Sequence, residues 1–134
     1  MYLLDSNAWI AFLRGTSASL LTELKMRPST DIFLCPVVLA ELWYGVCRSA
    51  ATKRAANESL VRQLQASYRS APLDDAAAVE AGALRADLAA AGQIIGPYDL
   101  LIAAIARTNQ LTLVTHNTKE FSRIKGLKIE DWQT

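Results

Sequence analysis

The sequence predicts an α/β domain in which helices cover both faces of a central parallel sheet. Short apolar segments typical of strands alternate with helical segments along the chain. Two of the strand segments, IFLC at 32–35 and LTLV at 111–114, are too apolar for a sheet that exposes one face to water. The 134 residues can build one hydrophobic core and contain no linker or repeat, so we expect a single domain over 1–134.

The predicted elements are bounded by residues with known preferences at helix ends. Gly15 and Gly92 can end helices, Ser17 can cap one, and Pro36 and Pro97 suit first turns. The predicted helices cover 7–15, 19–25, 37–49, 53–70, 74–92 and 97–109. The predicted strands cover 2–4, 31–35, 111–117 and 127–132, with a brief additional strand at 71–74.

Composition excludes several classes of protein. The 14 Lys and Arg residues nearly balance 13 Asp and Glu, so the chain lacks the overall basic charge typical of nucleic-acid binders, although a local patch is compatible with this total. Two cysteines give neither a disulfide framework nor a zinc spacing. The N-terminus lacks the basic segment of a signal peptide, and the longest uncharged run, 88–98, is too short to cross a membrane. We expect a soluble cytoplasmic protein with no membrane partner.

Polar side chains lie where the predicted strands end. Asp5 directly follows the first strand, and Glu41 lies in the second turn of the helix after the second strand. Asp99 lies in the first turn of the helix that leads to the strand at 111–117, and Asn117 stands at the end of that strand. Ligands of parallel sheets bind outside the carboxyl ends of the strands. We therefore expect these three acids and the amide to lie at one end of the sheet.

Structural roles remain open for most of this set. Asp5 and Asn117 can each cap a helix, and Asp99 can interact favourably with a helix dipole. Glu41 is harder to explain in this way, because its neighbours on the same helix face are apolar or uncharged and an unpaired carboxylate is costly to bury. Carboxylates gathered in one crevice suit Mg²⁺, which can activate water and neutralise a phosphate. The pattern favours a metal site.

Four stretches of the chain resemble the PIN-domain fold, and specifically the VapC-type toxins of bacterial type II toxin–antitoxin modules. They are LLDSNAWI, VVLAELWYG, GPYDLLIAAIA and LVTHNTKEF with the later LKIEDW, and they span nearly the whole chain in order. The resemblance implies a three-layer α/β/α domain with a central parallel sheet, acting as an endoribonuclease that depends on Mg²⁺ or Mn²⁺. It also implies an RNA substrate, tRNA in several members, a cognate VapB-type antitoxin and a homodimer. The family's first three acids fall on Asp5, Glu41 and Asp99, which are therefore the expected catalytic metal ligands.

The resemblance is less definite around the fourth acidic position of the family. This chain carries Asn117 there, with Glu120 one helical turn further on. We expect Glu120 to act through water or as a capping-box residue rather than as a direct ligand. Ser6 is expected to orient the carboxylate of Asp5 or to cap the helix that follows.

Other residues have weaker functional interpretations. His116, the only histidine, could assist proton transfer, but the metal already supplies the nucleophile. Basic residues on either side of the acids could hold RNA phosphates or form an ordinary solvated surface; the candidates are Arg48, Lys119 and Arg123. Tyr44 is expected in the core because of its helical spacing.

Two other functions compete with the nuclease. In a phosphoryl-accepting α/β domain Asp5 would be the nucleophile, but such a site needs a second acid beside it, which LLDSNAW does not supply. A catalytically silent PIN-like binding module is the other alternative, and the presence of all three acids argues against it.

Overall fold

A computed structural model describes residues 1–134 and contains one sheet of five strands, all parallel, in the order β3-β2-β1-β4-β5. The strands are β1 (Tyr2–Leu4), β2 (Ile32–Leu34), β3 (Arg69–Ser70), β4 (Thr112–Val114) and β5 (Ile129–Glu130). The buried side chains of the sheet form the centre of a single hydrophobic core. The predicted central parallel sheet is confirmed.

Seven helices flank the sheet and complete the three-layer α/β/α arrangement. They are α1 (Ser6–Arg14), α2 (Ala18–Lys25), α3 (Pro36–Cys47), α4 (Ala51–Ser67), α5 (Asp75–Ala90), α6 (Pro97–Thr108) and α7 (Thr118–Phe121). Helices α5 and α6 face each other through buried alanines, whose small side chains let the two helices approach closely. No helix combines the length and apolarity needed to cross a membrane.

The helix ends follow the predicted chemistry in most places. The Ser17 side chain accepts a hydrogen bond from Leu20 N, and Gly15 adopts the left-handed conformation, φ 64°, that ends α1. Pro36 and Pro97 occupy first turns, where the missing N–H costs nothing.

The third strand differs from the prediction. The helix predicted over 53–70 ends at Ser67, because Tyr68 is extended and its ring packs 4.9 Å from the ring of Trp9 in the core. The strand predicted at 71–74 is instead β3, Arg69–Ser70. The Ala71 N–H still donates to Leu34 O at 2.8 Å, but Pro72 has no N–H to continue the ladder.

The register of the sheet decides where a ligand can bind. Strand β1 lies between β2 and β4, so the chain adds β2 and β3 on one side of β1 and then crosses over to add β4 and β5 on the other. Leu4 lies beside Val114, and the Asp5 N–H extends the ladder by donating to Val114 O at 3.1 Å. Asp5 and Thr115 are therefore neighbours at the switch point of the sheet, where α/β folds open a crevice beyond the strand ends.

Candidate active site

Asp5 lies at the centre of the candidate site and is 5% exposed. Its Oδ1 accepts a hydrogen bond from Ala8 N at 2.9 Å, which caps α1, and its Oδ2 accepts one from the Thr115 hydroxyl at 2.6 Å. Burial raises the pKa of Asp5 despite these two donors, and the negative charges of Glu41 and Asp131 raise it further. Helix capping therefore accounts for the position of Oδ1. It does not account for the burial of the whole carboxylate, which has no ion-pair partner.

Glu41 joins the site through a hydrogen bond with α1. The Ser6 hydroxyl donates to Glu41 Oε1 at 2.5 Å, so Ser6 orients Glu41. Both predicted roles of Ser6 are therefore wrong, because it does not bond to the Asp5 carboxylate and Asp5 itself caps α1. Glu41 is partly buried on α3 and has no basic partner, as its apolar helix face predicted. The bond links the helices that follow β1 and β2.

Asp99, in the first turn of α6, is the third acid. Its pKa is raised to about 6, first by burial and then by the negative charges of Glu120, Asp5 and Glu41. These carboxylates therefore lie close enough to oppose one another's ionisation. None of the ion pairs in the chain neutralises Asp5, Glu41 or Asp99.

The fourth position contains a hydrogen-bonded amide and acid. Asn117 precedes α7, but its side chain does not cap the helix; it donates from Nδ2 to Glu120 Oε2 at 2.9 Å. Glu120 Oε1 accepts the Gly96 N–H at 3.0 Å, just before α6 begins. These two donors lower the pKa of Glu120. The capping-box interpretation of Glu120 is therefore wrong, because the acid bonds to the backbone of another helix.

Two residues of the site escaped the sequence analysis. Thr115 is 1% exposed and binds Asp5, and its Oγ1 also accepts the Asn117 N–H at 2.9 Å. Asp131 follows β5 and adds to the charges that raise the pKa of Asp5. Both directly follow strands of the parallel sheet, so the signal that marks Asp5 in the sequence marks these two residues as well.

The remaining predicted residues differ in how exposed their side chains are and in whether they bond to other parts of the chain. His116 Nδ1 lies 2.9 Å from Asp131 Oδ2, and its ring is 60% exposed. Arg48 and Lys119 are exposed, as residues that contact a substrate must be. Arg123 is partly buried and donates to Ile94 O at 3.1 Å, so it also ties α7 to the loop before α6.

Comparison with known proteins identifies the fold as that of an established family. The PIN domain profile matches residues 2–127. This chain belongs to the PIN-domain family. Within that family it is 34% identical over 131 residues to the tRNA(fMet)-specific endonuclease VapC of Shigella flexneri, covering 98% of this chain and 97% of that protein. It is 35% identical over 133 residues to Ribonuclease VapC2 of Rickettsia felis, covering 98% of each.

Solved structures of VapBC toxin–antitoxin complexes share this PIN-domain fold along the whole chain. The DNA-bound VapBC of Salmonella typhimurium superposes with a TM-score of 0.90 at 33% identity, covering 98% of this chain and 97% of that one. VapBC2 of Rickettsia felis, bound to a promoter DNA fragment, gives 0.89 at 34% identity and covers 98% of both. The chain is thus a VapC-type member of the PIN-domain family.

The donor set of this PIN domain fits a hard divalent cation. The charged groups that raise the pKa values of Asp5 and Asp99 are all carboxylates, whose oxygens are the ligands that hard cations prefer. No three acidic, histidine or cysteine side chains converge tightly enough to enclose an ion alone. Mg²⁺ suits such an open arrangement, because it keeps several waters and takes only one or two carboxylates directly.

Proposed function

We propose that this chain is a metal-dependent endoribonuclease that acts as the toxin of a toxin–antitoxin module and hydrolyses RNA, with tRNA as its substrate class. The supporting observation is the cluster of Asp5, Glu41 and Asp99 at the switch point of the sheet, where burial and mutual repulsion create a need for positive charge. The relatives named as ribonucleases support the same activity.

The proposed metal is Mg²⁺, with Mn²⁺ as an alternative. Asp5, Glu41 and Asp99 are its proposed ligands, one or two of them directly and the rest through bound water. The cation would lower the pKa of a bound water and neutralise charge on the scissile phosphate. Thr115 and the Ala8 N–H hold the Asp5 carboxylate in one orientation, and the Ser6 hydroxyl does the same for Glu41. A fixed carboxylate geometry reduces the reorganisation needed when the substrate binds.

Asn117 and Glu120 have a supporting role in this proposal. Glu120 lies near the surface, and its two hydrogen-bond donors lower its pKa, so its charge needs a cation less than that of the buried Asp5 and contact with an outer-sphere water suits it better than direct ligation. It also fixes the start of α6 through Gly96 N, and thereby the position of Asp99 three residues later. We assign Lys119, Arg48 and Arg123 to the binding of RNA phosphates.

The proposed biology follows from the VapBC relatives. We infer a VapB-type antitoxin as partner, a homodimer as the free form and the cytoplasm, where RNA substrates occur, as the site of action. A phosphoryl-accepting site needs a second acid beside its nucleophile, but Leu4 and Ser6 flank Asp5. The phosphoryl-accepting alternative is therefore not favoured.

Cleavage of total bacterial RNA, with Mg²⁺ and with a chelator, tests the activity. We expect discrete cleavage products with Mg²⁺, whose mapped ends identify the substrate, and intact RNA with the chelator. Expression in bacteria should arrest growth, and co-expression of the small protein encoded next to it should relieve the arrest. An active, folded chain whose expression leaves growth unchanged contradicts the toxin assignment.

A further inference from the structure

Helix α3 carries a second group of functional side chains on the face that presents Glu41. Tyr44, Gly45 and Arg48 follow Glu41 at spacings of three, four and seven residues, which places all four on one stripe of the helix. Arg48 lies about 10 Å along the helix axis from Glu41. The stripe therefore leads away from the candidate metal site.

Tyr44 is exposed in a way that packing does not explain. Its side chain is 66% exposed, although helical spacing predicted it in the core. The neighbouring Trp43, by contrast, is partly buried, and its indole N–H donates to Gln65 Oε1 at 3.0 Å. Tyr2 and Tyr68 are also partly buried and pack against tryptophans. Tyr44 thus presents a large aromatic surface to solvent three residues from Glu41.

Arg48 completes this surface. Its guanidinium lies 5.1 Å from the centroid of the Tyr44 ring, within the range of a cation–π contact. Arg48 forms no ion pair with any acid of the chain, so its charge is available to a ligand. Proteins that bind single-stranded nucleic acids use exposed aromatic rings, together with arginines, as platforms on which the bases stack.

A groove beside the stripe gives a ligand room to enter. Its volume is about 430 Å³, and both Glu41 and Arg48 line it together with Gly45. A Cβ at Gly45 would meet no atom within 4 Å, so glycine is not required there by packing. Gly45 therefore borders open space between Glu41 and Arg48.

We propose that Tyr44 stacks on an unpaired base of the RNA substrate while Arg48 contacts an adjacent phosphate, so that this surface is a nucleotide-binding subsite next to the metal site. The assignment rests on the proposed ribonuclease function. RNA is favoured over a protein ligand because the surface joins an aromatic ring and an unpaired positive charge to the proposed metal site, where a cation would bind a phosphate. Single-stranded RNA offers both matching features, since its bases unstack readily and its backbone is anionic.

Binding of fluorescein-labelled oligoadenylate RNA, followed by anisotropy, tests the subsite. The measurements use the Asp99→Asn background with Mg²⁺, in which we expect no cleavage. Tyr44→Ala should weaken binding roughly five- to 150-fold, the equivalent of about 1–3 kcal/mol per stacked base. Tyr44→Phe should bind like the background protein, because the ring is retained. Val79→Ala, which truncates another exposed apolar side chain, on α5, is the matched control and should have no effect.

An abasic oligomer of the same length separates base stacking from general loss of surface. Tyr44→Ala and Tyr44→Phe should bind the abasic RNA equally, since neither ring has a base to contact. Arg48→Gln should reduce the slope of log affinity against log salt by about one phosphate contact. Equal binding of oligoadenylate by Tyr44→Ala and Tyr44→Phe overturns the proposal.

Two further outcomes separate this subsite from the proposed function itself. In the first, the wild-type chain cleaves RNA with Mg²⁺, Tyr44→Ala binds oligoadenylate normally, and co-expressed antitoxin no longer relieves the growth arrest caused by Tyr44→Ala. The surface then binds protein, and only the subsite is rejected. If the wild-type chain neither cleaves nor binds RNA, the ribonuclease function and the subsite are both rejected.

Discussion

Asp5 and Glu120 belong to the same acidic cluster, yet their surroundings have opposite effects on their charges. Asp5 is almost fully buried, and its pKa is raised although Thr115 and Ala8 donate to it. Glu120 lies near the surface, and its pKa is lowered because Gly96 N–H and the Asn117 amide donate to it. Both acids have two hydrogen-bond donors, so burial decides the difference between them.

This contrast distinguishes acids that need a cation from an acid whose charge is already stabilised. The desolvated carboxylates of Asp5 and Asp99 gain most from a divalent ion, because a positive charge offsets both burial and mutual repulsion. Glu120 gains less, since protein donors and nearby solvent stabilise its charge. Variants of Asp5 and Asp99 should therefore lose more activity than variants of Glu120.

The largest expected effect is that of Asp5→Asn. The amide is nearly isosteric and can still accept the Ala8 N–H, so we expect the fold to survive while most ribonuclease activity disappears. RNA cleavage and a thermal melt measure the two outcomes. Asp87→Asn, which changes an exposed acid on α5, is the matched control and should leave activity unchanged. Wild-type cleavage by Asp5→Asn would remove the basis of the proposed metal site.

Thr115→Val tests the hydrogen bond that holds Asp5. Loss of the hydroxyl leaves Oδ2 without its donor and frees the buried carboxylate to rotate. Residues that orient metal ligands typically change metal affinity or activity by about 10–100-fold. We expect a loss in that range for Thr115→Val, with a higher Mg²⁺ requirement, and a much smaller loss for Thr115→Ser, which keeps the hydroxyl. Equal activity in the two variants contradicts the role of this bond.

The raised pKa of Asp99 predicts how the metal-free protein responds to pH. Folding raises this pKa from 3.8 to about 6, so the folded chain binds a proton that the unfolded chain releases. The contribution of Asp99 to stability is therefore complete below pH 3.8 and is lost as pH rises through about 6. Glu120 has the opposite sign, because its pKa is lowered and its contribution is lost as pH falls.

Thermal melts of wild type and Asp99→Asn separate these two contributions. In the presence of a chelator, we expect the wild type to lose stability relative to Asp99→Asn as pH rises from about 4 to about 6. Because Mg²⁺ competes with the proton, the Mg²⁺ concentration needed for half-maximal cleavage should increase as pH falls below about 6. A metal requirement independent of pH contradicts ligation by Asp99.

The sequence predicted that Asp5, Glu41 and Asp99 lie near one another, because the order of strands and helices along the chain is enough to place them at one edge of the sheet. The carboxyl ends of parallel strands and the first turns of the helices that begin there lie at one edge, and this placed Asp5 near Glu41 and Asp99 without knowledge of side-chain positions. The partners of these acids depend on sheet register instead. Thr115 binds Asp5 across 110 residues only because Leu4 lies beside Val114 in the ladder.

Sequence periodicity also did not determine which aromatic side chains are buried. Trp43 and Tyr44 are adjacent, so they point to different sides of α3, and the packing of α4 decides which side is covered. Trp43 lies against α4 and bonds to Gln65, whereas Tyr44 remains exposed. The hydrogen bond from Gly96 N–H to Glu120 also depends on how separate elements pack, because it joins residues 24 positions apart in two separate helical segments.

Glu120→Gln is expected to have the smallest effect among the acidic variants. The glutamine side chain can still accept the Gly96 N–H through its amide oxygen, so the start of α6 and the position of Asp99 should be kept. Only the charge is lost, and a higher Mg²⁺ concentration should restore part of the activity if Glu120 acts through a metal-bound water. Cleavage by Glu120→Gln and Asp5→Asn across a Mg²⁺ titration provides the comparison. If Glu120→Gln is as inactive as Asp5→Asn at every Mg²⁺ concentration, Glu120 is a direct ligand, and the two hydrogen bonds it accepts do not reduce its need for a cation.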